Sequence, residues 1–322
     1  MSHLIQIQNL KKHFSVDSGF FSKNKSSVIA VDGVSFSIKK GQVMGLVGES
    51  GCGKTTVGRL LTRVIKADSG KIIFNGRNIL SMCEEEFRDI RKEIQMVFQD
   101  PQSSLNPRMT IKASIKEPFI VHKMYDKHRV DEEIMRLIKA VGLSPEHLNR
   151  YPRELSGGQQ QRVGICKAMA LSPKFVILDE PTSSLDVSVQ AQILNTLKSL
   201  QQEMSLTYLF ISHDLSVIRH MSNQIGVMYL GQLVEIAPID EFFDNMLHPY
   251  SQALFSAVPT FQNEVKQFDI ILEGDVPNPV KPPHGCRFHP RCYRRTKICE
   301  TEPAPLVELT NGHFVRCHNV EV

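Results

Sequence analysis

The sequence of 322 residues lacks any long apolar run, so it offers no candidate for a membrane-spanning helix. Such a helix needs roughly 18 consecutive apolar residues. The amino-terminal stretch MSHLIQIQNLKK also lacks the apolar core and the cleavage site of a signal peptide. The net charge of +4 is small and by itself argues neither for nor against a nucleic-acid partner. We therefore expect a cytosolic protein, or one that is peripheral to a membrane through a partner.

Internal repeats and low-complexity tracts are absent as well, and the pattern that is present alternates strands with helices. Apolar or alternating runs predict strands at 4–10, 29–38, 43–47, 71–76, 94–98, 174–180, 207–212 and 225–229. Helical periodicity predicts helices at 54–65, 83–93, 131–141, 158–171 and 187–203. This alternation indicates an α/β fold with a parallel sheet.

Two stretches depart from the alternation. Residues 101–171 are mostly helical in pattern and lie between two apolar strands, which predicts an inserted helical subdomain. Beyond Pro259 the periodicity ends, and seven of the 17 prolines lie between residues 277 and 305. This composition predicts a loop-rich appendage. We expect one large domain over 1–258 and an extension over 259–322.

A phosphate loop is predicted at GESGCGKT (48–55), which matches G-x-x-x-x-G-K-[ST] between a strand and a helix. Its glycines let backbone N–H groups close around phosphate oxygens, and the positive end of the following helix faces the same anions. Lys54 is expected to reach the β- and γ-phosphates, and Thr55 to ligate Mg²⁺. A plain glycine-rich turn is the alternative. The predicted nucleotide-binding residues are Gly48, Ser50, Gly51, Cys52, Gly53, Lys54, Thr55 and Thr56.

A second half of this site is predicted at FVILDE (175–180), a buried strand that ends in two carboxylates. Asp179 is expected to hold Mg²⁺, and Glu180 to accept a proton from the attacking water. Two solvated acids at a strand end would be the better interpretation if the phosphate loop were missing. Together the two stretches predict nucleotide hydrolysis.

Six motifs in sequence resemble the ATP-binding-cassette (ABC) ATPases, over about residues 4–258. They are GESGCGKTT (48–56), VFQD (97–100), LSGGQQQR (155–162), VILDE (176–180), SSLD (183–186) and ISHD (211–214). The resemblance implies an ABC-type P-loop core with a parallel sheet, an antiparallel β subdomain and the inserted helical subdomain. It also implies ATP bound at a dimer interface, between the phosphate loop of one cassette and the LSGGQ signature of the other.

The resemblance assigns roles to residues outside the phosphate loop. The N-terminus of one helix would cover ATP held by the opposite subunit, and this helix opens with Ser156, Gly157, Gly158 and Gln159. A serine N-cap is the alternative, and it explains Ser156 alone. Gln99 would contact Mg²⁺ and the attacking water. The alternative is that Gln99 is an exposed loop residue without a role in the site. His213 would donate a hydrogen bond to the γ-phosphate, and Asp186 would lie at the dimer seam.

An aromatic residue that stacks on adenine is also implied. Phe14 is the candidate, and an ordinary core aromatic is the alternative for it. Phe20 and Phe21 compete with it, because the segment 15–28 is longer than is usual in the family.

Two further stretches, QDPQSSLNPRMTI (99–111) and HPYSQALFSAVP (248–259), are similar to ATP-binding subunits of oligopeptide and dipeptide importers, a group that includes nickel importers. This resemblance implies a peripheral ATPase on the cytoplasmic side of the membrane. Its implied partners are a second, related ATP-binding subunit, two transmembrane permease subunits and, indirectly, an extracellular substrate-binding protein, with no nucleic acid. A metal-complex cargo, a soluble ABC ATPase without a transport role and a catalytically silent scaffold are the alternatives.

Four of the seven cysteines lie near the end of the chain, with the spacing C-x5-C-x6-C-x17-C. They are Cys286, Cys292, Cys299 and Cys317. No C-x-x-C occurs, so the pattern fits a zinc ribbon poorly, whereas four thiolates can hold a [4Fe–4S] cluster. Some of the importer subunits that the sequence resembles bind such a cluster in this tail. The resemblance therefore implies an iron–sulfur cluster that orders a segment poor in apolar residues; zinc and unliganded thiols are the alternatives.

Overall fold

The structure is a computed structural model that describes residues 3–16, 26–256, 270, 272, 274–310 and 312–320. Its strands are β1 (His3–Val16), β2 (Ser26–Lys39), β3 (Val43–Val47), β4 (Ser69–Phe74), β5 (Arg77–Asn78), β6 (Ile94–Val97), β7 (Phe175–Asp179), β8 (Thr207–Ile211), β9 (Gln224–Tyr229), β10 (Gln232–Pro238), β11 (Val307–Thr310) and β12 (His313–Val315). Its α-helices are α1 (Lys54–Leu61), α2 (Glu84–Glu93), α3 (Pro101–Ser104), α4 (Ile111–Val121), α5 (Lys127–Ala140), α6 (Gly157–Met169), α7 (Val187–Met204), α8 (Leu215–Met221), α9 (Ile239–Asp244), α10 (Pro249–Ser256) and α11 (Lys297–Thr301). Within the described ranges, no helix combines the length and the apolar character needed to cross a bilayer.

The chain forms two compact units, each assembled from several segments. The helical unit consists of the described residues of Met1–Leu4, Ile38–Val43 and Ser81–Ile211. The phosphate-loop unit consists of those of Ile5–Ser37, Met44–Leu80 and Ser212–Val322. The units therefore interleave along the chain.

Parallel strands form the centre of the helical unit, in the order β8-β7-β6. Phe175 of β7 lies opposite Ile94 on one side and Thr207 on the other. Every residue of β7 and β8 is buried. This explains the apolar runs FVIL and YLFI, because strands covered on both faces lack the polar alternation. Between β6 and β7 the chain forms helices α3 to α6, so the prediction of an inserted helical subdomain is confirmed.

The phosphate-loop unit contains two groups of strands. A four-stranded sheet has the order β2-β1-β4-β5, with β4 antiparallel to both β1 and β5; it is the predicted antiparallel β subdomain. In the other group β3 is parallel to β9, β9 is antiparallel to β10, and β10 continues to β12 and β11. All five residues of β3 are buried. The phosphate loop therefore begins at the end of a strand that is covered on both faces.

Strand β10 was not predicted from the sequence, because a charged residue interrupts its apolar run. Glu235 is fully buried there. Its carboxylate accepts the backbone N–H groups of Leu247 and His248 at 2.8 and 3.0 Å and lies 2.8 Å from Nε2 of buried His313. A buried carboxylate is tolerated when its oxygens are satisfied in this way.

The described residues that follow α10 are loop-rich, as predicted, but they also include short regular elements. We call residues 274–310 and 312–320 the C-terminal segment. It contains α11, β11 and β12, and β12 pairs with β10 through Val315 opposite Glu235. The predicted domain boundary between 258 and 259 lies outside the described residues and stays a prediction.

Candidate nucleotide-binding site

The phosphate loop joins β3 to α1, as the sequence predicts. The side chain of Lys54 folds back into this loop and is almost fully buried. Its Nζ atom donates hydrogen bonds to the carbonyl oxygens of Gly48 and Glu49 at 2.7 and 3.0 Å. These acceptors are neutral, so they hold the ammonium group in place without cancelling its charge. A positive charge held in this way suits phosphate oxygens.

Two glycines of the loop stand where no larger residue fits. A Cβ atom on Gly48 would lie 2.2 Å from the carbonyl oxygen of Met228, and one on Gly53 would lie 2.1 Å from that of Ala30. Both residues also have positive φ angles, 152° and 110°, which L-residues rarely adopt. The loop is therefore shaped by close backbone approach.

Helix α1 begins at Lys54, and its N-cap residue, Gly53, has no side chain to occupy the first turn. The N-terminal N–H groups of a helix attract anions. Thr55 and Thr56 lie half-buried in this turn. In the loop before it, Ser50 and Gly51 are exposed and Cys52 is buried. The hydroxyl of Thr55 is an oxygen ligand of the kind that Mg²⁺ prefers.

His213 lies in the same unit, in an exposed position between β8 and α8. The preceding residue, Ser212, donates its backbone N–H to the carbonyl oxygen of Leu46 in β3 at 3.2 Å. The following residue, Asp214, caps α8 by accepting the N–H groups of Ser216 and Val217 at 2.8 and 3.3 Å. His213 therefore sits on a turn that is fixed on both sides.

Phe14 lies near the end of β1 with 38% of its surface exposed. The Nζ atom of Lys12 lies 5.4 Å from the centroid of its ring. Phe14 is therefore not a core aromatic, and its exposure is compatible with stacking on a base. Phe20 and Phe21 lie outside the described residues.

The helical unit brings Gln99 and Glu180 together. The Nε2 atom of Gln99 donates to Oε2 of Glu180 at 3.1 Å. Glu180 has a positive φ of 45°, and its backbone N–H donates to the carbonyl oxygen of Ile211 at 3.0 Å. A non-glycine residue in this conformation costs about 1–3 kcal/mol, and such residues cluster at functional sites. Asp179, which precedes it, is 2% exposed at the end of β7.

The signature residues begin α6 with a reciprocal cap. The Ser156 hydroxyl accepts the N–H of Gln159 at 3.4 Å, and the Gln159 side-chain oxygen accepts the N–H of Ser156 at 3.0 Å. This capping box gives Gln159 a structural role that the serine N-cap interpretation did not include, although S-x-x-Q is its signature in the sequence. Gly158 has a packing role, because a Cβ atom there would lie 2.4 Å from Cγ1 of Val189. Gly157 would meet only Leu185, at 3.5 Å.

Asp186 caps α7 on the exposed surface of the same unit. Its Oδ1 atom accepts the hydroxyl of Ser188 at 2.7 Å and the N–H of Val189 at 2.9 Å. The hydrogen bond from Ser188 is the main reason that the pKa of Asp186 is below its ordinary value. The carboxylate therefore remains charged at the N-terminus of the helix, where a negative charge is favourable.

Two residues that were not predicted from the sequence contact the phosphate loop. Tyr250 accepts the backbone N–H of Glu49 at 2.9 Å, and Arg291 pairs with the Glu49 carboxylate at 2.8 Å. Glu49 occupies a variable position of the loop pattern, so the pattern carries no signal for these contacts. The HPY stretch at 248–250 was recognised by resemblance, but its contact with the loop was not predicted.

The predicted iron–sulfur site at Cys286, Cys292, Cys299 and Cys317 is wrong. Across the described parts of the chain, no group of three or more His, Cys, Asp or Glu residues is arranged to hold a metal ion, which also removes the zinc alternative. Burial raises the pKa of the Cys292 thiol to about 11 and also raises those of Cys286 and Cys317.

Hydrogen bonds and ion pairs, not metal bonds, order the C-terminal segment. A segment poor in apolar residues was expected to need a metal cluster, and these contacts show why that expectation was wrong. Buried Arg287 donates to the carboxylate of Asp32 and to the carbonyl oxygen of Leu230. Asn319 donates its N–H to the sulfur of Cys317 at 3.4 Å and its side-chain amide to the carbonyl oxygen of Arg294 at 2.7 Å. These hydrogen bonds anchor the segment without a metal.

Comparison with known protein families gives two matches along the chain. The family described as ABC transporter matches residues 31–183. The family described as oligopeptide/dipeptide transporter, C-terminal region, matches residues 234–299. The first range includes the phosphate loop, the signature and Glu180, and the second includes the HPY stretch and three of the four clustered cysteines.

Curated relatives match nearly the whole chain. The oligopeptide transport ATP-binding protein AppF of Bacillus subtilis is 50% identical, over 98% of this chain and 97% of its own. The oligopeptide transport ATP-binding protein OppF of Salmonella typhimurium is 44% identical, over 99% of this chain and 96% of its own.

A solved structure supports the same fold. The ATP-binding cassette MJ0796, in a dimeric post-hydrolysis state bound to ADP and Pi, is similar with a TM-score of 0.65 and 26% identity. The similarity covers 73% of this chain and 98% of that chain. The prediction of an ABC-type fold is therefore confirmed.

Proposed function

This chain belongs to the ATP-binding subunits of oligopeptide and dipeptide ABC transporters, and we propose that it hydrolyses ATP to power the import of peptides. The observation that carries the peptide assignment is the length of the similarity, which spans 97% of a relative named for oligopeptide transport. The C-terminal family match at 234–299 carries the same description. Both support peptides over a nickel complex as the cargo.

The proposed chemistry places Glu180 as the general base. Its carboxylate would accept a proton from the water that attacks the γ-phosphate. The hydrogen bond from Gln99 at 3.1 Å holds this carboxylate in one orientation. The positive φ of Glu180, 45°, supports a functional role, because a strained backbone persists only where the surroundings impose it.

Phosphate binding is assigned to the loop and to the turn at His213. The loop glycines and Lys54 would hold the β- and γ-phosphates, and His213 would donate a hydrogen bond to the γ-phosphate. Phe14 would stack on the adenine ring. When bound, Mg²⁺ would neutralise phosphate charge. The hydroxyl of Thr55 is an oxygen ligand of the kind that Mg²⁺ prefers, and the family resemblance assigns Asp179 and Gln99 to the ion as well.

The signature helix is assigned to a second nucleotide. Ser156 and the N-terminal N–H groups of α6 would cover ATP held by a partner cassette, and Asp186 would lie at the seam between the two. The similar cassette MJ0796 is dimeric in its post-hydrolysis state, which supports this arrangement. We propose that the partner is a related ATP-binding subunit, so that two ATP molecules are enclosed when the cassettes close.

Transport requires partners that this chain does not supply. We propose that it sits at the cytoplasmic face of the membrane on two permease subunits, and that a substrate-binding protein delivers the peptide. The names of the relatives, which describe ATP-binding components of transport systems, support this assignment.

The test is peptide uptake by the complete transporter in proteoliposomes. The complex of permeases, both ATP-binding subunits and binding protein is supplied with ATP and a labelled oligopeptide, a dipeptide or a nickel complex. We expect peptide uptake together with phosphate release. Glu180→Gln should abolish both while retaining ATP binding, whereas Glu203→Gln, the same change at an exposed site on α7, should have no effect.

Uptake of the nickel complex without peptide uptake would refute the peptide assignment. Hydrolysis at full rate by a chain that never associates with permeases would refute the transport assignment. Undiminished phosphate release by Glu180→Gln would refute the role of Glu180.

A further inference from the structure

One residue of the phosphate loop, Glu49, is bonded to two parts of the chain that follow the cassette motifs. Its carboxylate forms a two-pronged ion pair with Arg291, with N–O distances of 2.8 and 3.1 Å. Its backbone N–H donates to the hydroxyl of Tyr250 at 2.9 Å. Both the side chain and the main chain of Glu49 are therefore fixed from outside the loop.

Arg291 is largely buried in the C-terminal segment. Only 8% of its side chain is exposed, and its guanidinium carbon lies 6.0 Å from the ring centroid of Tyr229. The hydrogen bond to Glu49 raises the pKa of Arg291 above its ordinary value. Two-pronged pairs between arginine and a carboxylate are strong and fix orientation as well as distance.

Tyr250 is fixed by the HPY stretch and by the C-terminal segment. It is fully buried, and its backbone N–H donates to Nδ1 of His248 at 3.0 Å. Its ring centroid lies 4.7 Å from that of Tyr229 and 5.3 Å from that of Phe288. Phe288 belongs to the C-terminal segment and is itself buried. The aromatic cluster therefore connects this segment to the hydroxyl that contacts the loop.

The link continues to the lysine of the loop, since the carbonyl oxygen of Glu49 accepts Nζ of Lys54 at 3.0 Å and the N–H of Cys52 at 3.3 Å. We propose that Tyr250 and Arg291 are positioning residues, which hold the phosphate loop in its nucleotide-binding shape through Glu49. This inference rests on the proposed ATP binding at the loop. By reciprocity, bound ATP then stabilises the docking of the C-terminal segment.

The experiment measures binding of the fluorescent analogue TNP-ATP to the purified full-length chain. Tyr250→Phe removes only the hydroxyl, and we expect the Kd to rise by about 3- to 10-fold. Arg291→Met should raise the Kd by about 10-fold or more, and Arg291→Lys, which keeps the charge but not the second prong, should have an intermediate effect. Tyr125→Phe is the matched control, because Tyr125 belongs to the helical unit and is 40% exposed; the Kd of this variant should stay at the wild-type value.

A double-mutant cycle distinguishes positioning from general loss of structure. If Arg291 acts through Glu49, Arg291→Met should have little further effect on the Kd in a Glu49→Gln background. Hydrogen exchange supplies a second readout in the wild-type chain: ATP should slow exchange of the amides between Cys286 and Cys299, and Arg291→Met should remove this protection.

Two results would overturn the inference: wild-type Kd values for both Tyr250→Phe and Arg291→Met, or additive effects of the Glu49 and Arg291 substitutions. These are distinguishable from failure of the proposed function, because in that case the wild-type chain itself would bind no TNP-ATP, or Lys54→Ala would bind it equally well.

Discussion

The side-chain amide of Gln99 donates to the carboxylate of Glu180 at 3.1 Å, although 81 positions separate the two residues. Gln99 follows β6 and Glu180 follows β7, and these strands are parallel neighbours with Val97 opposite Leu178. Residues that follow parallel neighbours emerge at the same edge of the sheet, where sites form in α/β folds. The pair is therefore a direct product of strand order.

Removing the Gln99 amide should slow hydrolysis without preventing nucleotide binding. In Gln99→Ala the Glu180 carboxylate loses a hydrogen bond that orients it, and one such bond, at about 1.4 kcal/mol, corresponds to roughly tenfold in rate. We expect kcat for ATP to fall by about tenfold, as measured by phosphate release from the assembled transporter. A decrease in ATP affinity with unchanged kcat would show that Gln99 acts on binding instead.

Neighbouring glycines of the signature should respond differently to alanine. A Cβ atom at residue 158 would lie 2.4 Å from Cγ1 of Val189, whereas one at residue 157 has no atom nearer than 3.5 Å. We expect Gly158→Ala to lower the free energy of unfolding by about 1–3 kcal/mol through overpacking. Gly157→Ala, the matched control, should stay close to the wild-type value in denaturant titrations.

Removal of the clash should restore stability. Adding Val189→Ala to Gly158→Ala removes Cγ1, and the double variant should recover most of the lost free energy. Equal losses for Gly157→Ala and Gly158→Ala would contradict the packing role of Gly158.

Stability should depend on pH through His248. Burial lowers the pKa of His248 to about 3, whereas an unfolded histidine has a pKa of about 6.5. Between these values the unfolded chain binds one proton more than the folded chain. The contribution of neutral His248 to the free energy of unfolding is therefore complete above pH 6.5 and is lost as the pH falls toward 3. Through this residue, the free energy of unfolding falls by about 1.4 kcal/mol for each unit by which the pH is lowered in this range.

The measurement is the free energy of unfolding of the wild-type chain and of His248→Asn between pH 7 and pH 4. Asparagine can accept the Tyr250 N–H without titrating, so the variant should lose less stability on acidification. Parallel pH profiles would exclude His248 as the source of the dependence.

Cys52 should react slowly with thiol reagents near neutral pH. Its side chain is buried, and burial raises its pKa even though Lys54 Nζ lies 3.8 Å from the sulfur. Since the thiolate is the nucleophile, alkylation by N-ethylmaleimide should accelerate as the pH rises above 9. ATP should slow the reaction at Cys52 but not at exposed Cys83, as followed by mass spectrometry of the two peptides. Equal protection of both cysteines would indicate a global effect of ATP.

The sequence by itself determined the parallel strands and the nucleotide motifs. VMGLV and FVIL are continuous apolar runs because β3 and β7 are buried throughout. The phosphate loop needs glycine wherever backbone approaches backbone, so its residue pattern is visible in the chain alone. The roles assigned to Phe14, His213 and the signature residues remain predictions that the geometry supports.

Only the tertiary structure decided how the C-terminal segment is held. The cysteine spacing together with the family resemblance predicted an iron–sulfur cluster there, but neither says anything about the burial of each thiol or the partners around it. The contacts that order the segment, such as Arg287 with Asp32 and Arg291 with Glu49, join residues more than 240 positions apart. Local patterns record backbone periodicity and burial, whereas pairings of this kind exist only once packing has brought distant side chains together.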